Sequence, residues 1–270
     1  MKAQEYSYVS REIRTLTGVD LSCYKTQQMQ RRLRAYLVRT EHATWTNFFR
    51  VARNDPVELG KLKDYLTINV SSFFRDLDKY RPLQENIVPE LLRGHPTLRV
   101  WSAGCSRGQE AYSLAIMLAE VTGPYRRHPI LATDIDSSAL EWAKAGGPYS
   151  ADELKNVPPA LLRRYFKADN DDYWVAESLR RRITFRQHNL LADPFENGFD
   201  LIVCRNVVIY FTSEVKEKLY QRFYEALRPG GVLFVGGTEI VPRASDTGLE
   251  SAGISFYRRA VPSSSRGAVP

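Results

Sequence analysis

Several clusters in this chain combine residue types and spacings that chemistry could use. The first is a turn, Ser102-Ala103-Gly104-Cys105-Ser106-Arg107-Gly108, following the apolar run Leu98-Arg99-Val100-Trp101. Gly104 and Gly108 let a backbone approach a ligand with no Cβ in the way. Tight strand–helix packing would ask for the same glycines. The spacing is not G-x-G-x-x-G, so the dinucleotide fingerprint is absent, and a pyrophosphate site and a nicotinamide oxidoreductase are both disfavoured. Glu110 stands in the first turn of the helix that follows. The helix dipole favours an anion there in any case, but a carboxylate facing a site would also bind an amine or neutralise a cationic cofactor. Its neighbour Gln109 is expected to face solvent.

Some thirty residues on, Asp134 closes the next apolar run, Ile130-Leu131-Ala132-Thr133. An acid at that place accepts both hydroxyls of a ribose in nucleotide-binding βαβ units; alternatively Asp134 or Asp136 only caps the next helix. Cys204-Arg205-Asn206-Val207-Val208-Ile209-Tyr210-Phe211 directly follows the run Phe199–Val203. Arg205 and Asn206 therefore emerge where a buried strand ends, which packing alone does not explain. Cys204 reads as a small buried hydrophobe, with no histidine partner in evidence. In His188-Asn189-Leu190, Asn189 suits either a base edge or a turn, and His188 reads as structural. Thr67-Ile68-Asn69-Val70-Ser71-Ser72-Phe73-Phe74-Arg75-Asp76 joins two differently patterned regions, as a lid or as a helix cap with a hydrophobic staple.

The elements that must position these residues follow from hydrophobic periodicity. Residues 5–66 read as helices, with stripes at Val9, Ile13, Leu16 and at Met29, Leu33, Tyr36, Leu37. Gly18 is a stop, Thr44 a cap, and Pro56 a first-turn proline. From residue 97 short apolar strands alternate with helices, which implies a parallel sheet covered on both faces. The fold class expected is α/β, preceded by a small all-helical domain. The boundaries read as 1–66 helical, 67–96 linker and connecting helix, 97–260 catalytic domain, and 261–270 a disordered tail.

Composition narrows the classes further. The 270 residues are 43% hydrophobic and 26% charged, which excludes a wholly disordered or collagen-like chain. No run approaches the roughly 18 apolar residues of a membrane span, and the first residues lack the apolar core of a secretory leader. Three cysteines, Cys23, Cys105 and Cys204, are too few and too scattered for a disulfide framework or a zinc cluster, so no metal is expected. A reducing, cytoplasmic location is expected, with a monomer as the default. Net charge is +7, and between Lys25 and Arg53 the seven basic residues face a single acid, Glu41. That segment, with Arg31, Arg32 and Arg34 at its centre, is a candidate docking surface for something negative.

Together, Trp101-Ser-Ala-Gly-Cys-Ser-Arg-Gly-Gln-Glu-Ala-Tyr-Ser113, Ala132-Thr-Asp-Ile-Asp136, Cys204-Arg-Asn-Val-Val-Ile-Tyr-Phe211 and Asn69…Phe73-Phe74-Arg75 resemble the chemotaxis receptor methyltransferases, the CheR family. The resemblance runs in family order to about Arg259. It implies a class I methyltransferase (Rossmann-like) sheet with a small β-subdomain near 167–186. The activity implied is transfer of a methyl group from S-adenosylmethionine, leaving S-adenosylhomocysteine, to glutamate carboxylates on the cytoplasmic helices of chemoreceptors, for sensory adaptation. Carried over by position, Asn69, Ser71 and Arg75 reach the cofactor. Gly104 lies in its binding turn, Glu110 meets its amino-acid portion, and Asp134 its ribose. Asn189 and Leu190 line the adenine, and Arg205 and Asn206 approach the methyl region. Arg75 and Tyr210 match positions facing the reacting carboxylate.

Gln109, Ala111 and Ser71 depart from the usual family residues. Lys167–Arg182 contains no glycine, where relatives that bind a receptor's C-terminal pentapeptide carry a longer glycine-containing loop, so a pentapeptide-independent enzyme is expected. Competing readings are a nucleic-acid methyltransferase, although no nucleic-acid partner is expected, and a non-catalytic module that binds S-adenosylmethionine or its product.

Overall fold

Two hydrophobic patterns produce two bodies. In the computed structural model, which describes residues 1–67 and 69–261, the chain forms two compact units. One comprises Met1–Asn69 with Val208–Lys216; the other comprises Val70–Val207 and the chain from Glu217. Apart from Val261, the expected tail lies outside the described residues.

The first unit is helical: α1 (Ala3–Thr17), α2 (Thr26–Arg39), α3 (Trp45–Ala52) and α4 (Pro56–Thr67). Its caps are those the residue types require. Gly18 ends α1 at φ 74°, a conformation that costs glycine little. Thr44 accepts from Asn47 N at the start of α3, and Asp55 accepts from Val57 N and Glu58 N at the start of α4. The apolar stripes converge on Val9, Ile13, Met29, Leu33, Phe48, Phe49 and Leu62, all buried. Trp45 and Phe48 meet edge to face at 5.6 Å, and the rings of Tyr36 and Tyr65 lie 5.0 Å apart. Residues 208–216 join this unit through backbone pairing: Lys25 N donates to Tyr210 O (2.9 Å), and Thr212 N donates to Cys23 O (3.0 Å).

The second unit begins with α5 (Leu77–Pro82) and α6 (Val88–Gly94), joined by one wide turn over Leu83–Ile87. Then come β1 (Val100–Ala103), α7 (Gln109–Thr122), β2 (Ile130–Asp134), α8 (Ser137–Ala145), α9 (Pro159–Tyr165), β3 (Phe166–Asp169), β4 (Asp172–Val175), α10 (Glu177–Arg180), β5 (Ile183–Gln187) and β6 (Phe199–Cys204). The described chain finishes with α11 (Ser213–Ala226), β7 (Leu227–Val235), β8 (Leu249–Gly253) and β9 (Phe256–Arg259). The main sheet has the order β5-β2-β1-β6-β7-β9-β8. Its first five strands are parallel and β9 and β8 antiparallel, so the sheet is α/β and mostly parallel, as the alternating pattern implied.

The strand order reverses between β1 and β6, so the crevice where such sheets bind ligands opens at their carboxyl ends. Side-chain alternation divides the core. Val100, Leu201, Val203, Val232 and Phe234 pack with Leu114, Ala115 and Leu118 of α7 on one face. Trp101, on the opposite face of β1, meets Phe199 at 5.3 Å and Phe223 of α11 at 5.6 Å. The separate hairpin β3–β4 occupies 166–175 only. Residues 183–186, the end of the β-subdomain expected near 167–186, lie in β5, the edge strand of the main sheet, with Ile183 opposite Ile130.

Residues 70–76 are bolted into this second unit. Phe73 is fully buried, with its ring 4.9 Å from Tyr149 and 5.0 Å from Phe166, and its N–H donates to Glu153 O. Phe74 N donates to Ser113 Oγ (2.9 Å). Phe74 (φ 48°) and Asp76 (φ 55°) take left-handed conformations that bulky residues rarely adopt, held there by these contacts. Phe73→Ala should therefore cost about 3–5 kcal/mol by opening a cavity in a packed aromatic cluster, measured as a lower urea midpoint with an unchanged slope.

Candidate active site

The carboxyl ends of β1, β2 and β6 carry Gly104, Glu110, Asp134, Arg205 and Asn206. After β1 the chain turns sharply, and Gly104 (φ 89°) donates from its N to Thr133 O at 2.8 Å. A Cβ on Gly104 would fall 2.4 Å from Val207 Cγ2, and one on Gly108 would fall 2.9 Å from Ala143 Cβ. Both glycines thus serve close packing, which draws the turn down onto the ends of β1 and β6. Ser102 alternates onto the α7 face of the sheet, where its hydroxyl donates to Glu110 Oε1 (2.8 Å). Gln109, expected in solvent, is fully buried and donates to Glu153 Oε1 (2.9 Å), because α7 is covered on nearly every side in its first turns.

Of the two candidates for the helix cap, Asp134 and Asp136, only the second serves. Asp136 is the helix cap, accepting from Ala139 N. Asp134 accepts from Ser106 N on Oδ2 (2.7 Å) and from Asp136 N on Oδ1 (3.0 Å). Burial raises its pKa, against those hydrogen bonds. The Ile135 backbone N–H acts on it as well; of a carboxylate's about four lone-pair directions, Asp134 keeps capacity for a further donor such as a ribose hydroxyl.

Arg205 organises the rest. Its side chain is 2% exposed, and Nη2 donates to Arg75 O (3.0 Å) and Asp76 Oδ2 (2.7 Å). Nη1 lies 3.9 Å from Glu110 Oε2, and the guanidinium stacks 4.8 Å over the Phe234 ring. Glu110 is raised to about 7, first by burial, with Arg205 and the Ser102 hydroxyl opposing. Arg75 also lies within electrostatic reach of Glu110, and its Nη1 donates to Val70 O (3.1 Å). Asn206 (φ 59°) donates from its N to Glu239 Oε2 (3.1 Å), which accepts from Gly236 N as well.

On the neighbouring loop, His188 N donates to Asp134 O (2.9 Å). Asn189 is half-buried; its Oδ1 accepts from Leu191 N, so the turn-forming use of this asparagine is realised, and Leu190 is buried beside it. His188 packs edge-on to Trp101. Ser71 is half-buried. Burial pushes the Cys105 and Cys204 thiols up, which leaves them unsuited to nucleophilic work.

Asn69 and Tyr210 belong to the first unit. There Tyr210 stands against the entry to α2, close enough to act electrostatically on Arg32. Arg32 itself is half-buried: it donates to Tyr65 O and its guanidinium lies 4.7 Å over the Tyr65 ring. The three arginines expected to dock therefore differ, with Arg31 and Arg34 exposed and Arg32 spent within the unit.

Sequence reasoning missed Asp76, Ser102 and Glu239. The signal for Glu239 was a second strand–glycine–acid succession, Val235-Gly236-Gly237-Thr238-Glu239, after β7.

The residues present fit a sulfonium nucleoside: buried Glu110 for a cationic ammonium or sulfonium group, and Asp134 with remaining acceptor capacity for a ribose hydroxyl. Comparison with known proteins agrees. Residues 69–255 match the family model "CheR methyltransferase, SAM binding domain", and residues 4–67 match "CheR methyltransferase, all-alpha domain". A chemotaxis protein methyltransferase of Listeria monocytogenes is 41% identical over 255 residues, covering 94% of this chain and 97% of that protein. The Listeria innocua protein of the same name gives the same identity and coverage. Chemotaxis protein methyltransferase 2 of Pseudomonas aeruginosa is 33% identical, covering 94% of this chain and 92% of its own. With both family segments and near-complete coverage at this identity, the chain belongs to the CheR family of S-adenosylmethionine-dependent methyltransferases.

Proposed function

We propose that this protein transfers a methyl group from S-adenosylmethionine to glutamate side chains on the cytoplasmic helices of chemoreceptors. The observation that carries this reading is the buried cation Arg205, which pairs with exposed Asp76, approaches buried Glu110 and holds the Arg75 carbonyl. When bound, the cofactor supplies a methyl group made electrophilic by its sulfonium. Asp134 accepts from the ribose hydroxyls, Glu110 faces the amino-acid portion, and Gly104 with the Ser106 turn forms the floor. Ser71 adds a polar contact, Asn189 and Leu190 border the adenine, and Asn206 stands beside the methyl region with Arg205.

A substrate glutamate has an ordinary pKa near ~4.3 and is already ionised at neutral pH, so no general base is needed. What remains is alignment and electrostatics. Arg75 holds one carboxylate oxygen while the other attacks. Within the first unit, Tyr210 and the basic helix α2 are held together, which suits one surface that binds an acidic helix and orients its carboxylate.

Exposed Arg31 and Arg34 are the docking charges we assign, with Arg32 as their support. The hairpin β3–β4 closes through Asn170 and Asp171 alone, with Asn170 at φ 53°, which supports substrate recognition independent of a receptor pentapeptide. Among the described residues no helix is long and apolar enough to cross a membrane. We assign a monomer acting in the cytoplasm, with receptor helices and not nucleic acid as partner.

Labelled S-adenosylmethionine incubated with receptor cytoplasmic fragments should leave base-labile label on glutamate; label on RNA instead would reject the reading. Arg75→Ala should lower kcat by about 100-fold or more with an unchanged circular dichroism spectrum. Because Glu110 titrates at about 7 in the free protein, it is protonated below that pH and ionised above it. Calorimetric affinity for the cationic cofactor should therefore weaken by up to about tenfold per unit as pH falls below 7, and Glu110→Gln should flatten the profile. Reversing both docking charges (R31E with R34E) should raise receptor KM about tenfold, and added salt should raise the wild-type KM in the same direction.

A further inference from the structure

Arg222 lies outside every motif that suggested the function, yet it grips the loop following β5. It sits on α11 beside the buried stripe Leu219, Tyr220, Phe223. Its guanidinium lies 3.8 Å over the Phe195 ring, and its two terminal nitrogens donate to Leu190 O and Asp193 O. The loop it holds is a single closed turn. Ala192 N and Asp193 N both converge on Asn189 O (3.1 and 2.9 Å), and Asp193 Oδ2 accepts back from Asn189 N (2.8 Å). The carbonyls that Arg222 takes therefore belong to the turn that carries Asn189. A planar fork can span both carbonyls and stack on an aromatic ring at once; an ammonium cannot.

We infer that Arg222 is a positioning residue for cofactor recognition: by clamping the Leu190 and Asp193 carbonyls against Phe195, it fixes Asn189 and makes the loop selective for adenine over other purines. The inference rests on the reading of Asn189 and Leu190 as the adenine side. Asp134 is held separately, by Ser106 N and Asp136 N, so ribose binding does not pass through Arg222. Losing the clamp loosens Asp193, and with it the Asn189 N–H that Asp193 secures. The base-reading edge then shifts while the ribose contacts stay.

The test measures Kd by calorimetry for S-adenosylhomocysteine and for S-inosylhomocysteine, which differ at the six-position of the purine. The proteins are the full-length wild type, Arg222→Gln, Arg222→Lys and Asn189→Ala, each with a melting curve. The wild type should prefer the adenosyl compound. Both Arg222 variants should bind it about tenfold more weakly, the scale of lost hydrogen bonds to a charged group, and should lose most of the preference. At saturating S-adenosylmethionine, kcat should fall far less than affinity. Lysine should fail to rescue, because it keeps the charge but not the fork.

A role confined to general stability would lower melting temperature and weaken both compounds equally; a preserved preference in either folded Arg222 variant overturns the inference. If Asn189→Ala loses the preference while the Arg222 variants keep it, the adenine-side reading stands and only the clamp is rejected. If no substitution alters the preference, or the wild type has none, both fall together.

Discussion

A cation buried at the tip of β6 constrains the rest of the catalytic unit. Arg205 is almost wholly removed from water. An unpaired charge there would cost several kcal/mol, so the surroundings must supply anions and acceptors. They do so from two directions: Asp76 and the Arg75 carbonyl on one side, Glu110 on the other, with Phe234 stacked beneath. Because Asp76 and Arg75 are adjacent in sequence, satisfying Arg205 also fixes the backbone from which the Arg75 side chain projects. The left-handed conformations of Phe74 and Asp76 persist because this ion pair and the buried phenylalanines over-determine them.

The same arrangement recurs around the rim in a milder form. Asp134 accepts a backbone N–H from the turn after β1, and Glu239 accepts two from the ends of β6 and β7. Each acid joins loops that leave neighbouring strands, so the rim is set by carboxylates bonded to backbone rather than by loop sequence alone. The result is a rim held by carboxylates, Asp134 and Glu239 on backbone N–H groups and Glu110 beside Arg205. On the helical unit, α2 carries the exposed cations Arg31 and Arg34.

Much of this is legible in the order of the residues. Gly18, Thr44 and Pro56 mark helix ends because their backbone preferences act locally, and the fold uses each as expected. The alternation of apolar strands with helices implied a covered parallel sheet, because only burial on both faces explains runs such as Leu201–Cys204. Gln109 and Arg32 went the other way. Both are polar residues that local reasoning assigns to solvent, and both are drawn inward by a partner distant in sequence, Glu153 in one case and Tyr65 in the other.

Residue types and their order therefore determined the fold class and the family, since these depend on periodicity and short motifs that a linear chain already contains. Which of Asp134 and Asp136 caps the following helix, which carboxylates neutralise Arg205, and which arginines of α2 remain exposed were decided only in three dimensions. Hydrogen bonds and burial depend on partners brought close by packing, such as Ser106 with Asp134 across 28 residues and Arg205 with Asp76 across 129. No local pattern in the chain encodes those separations.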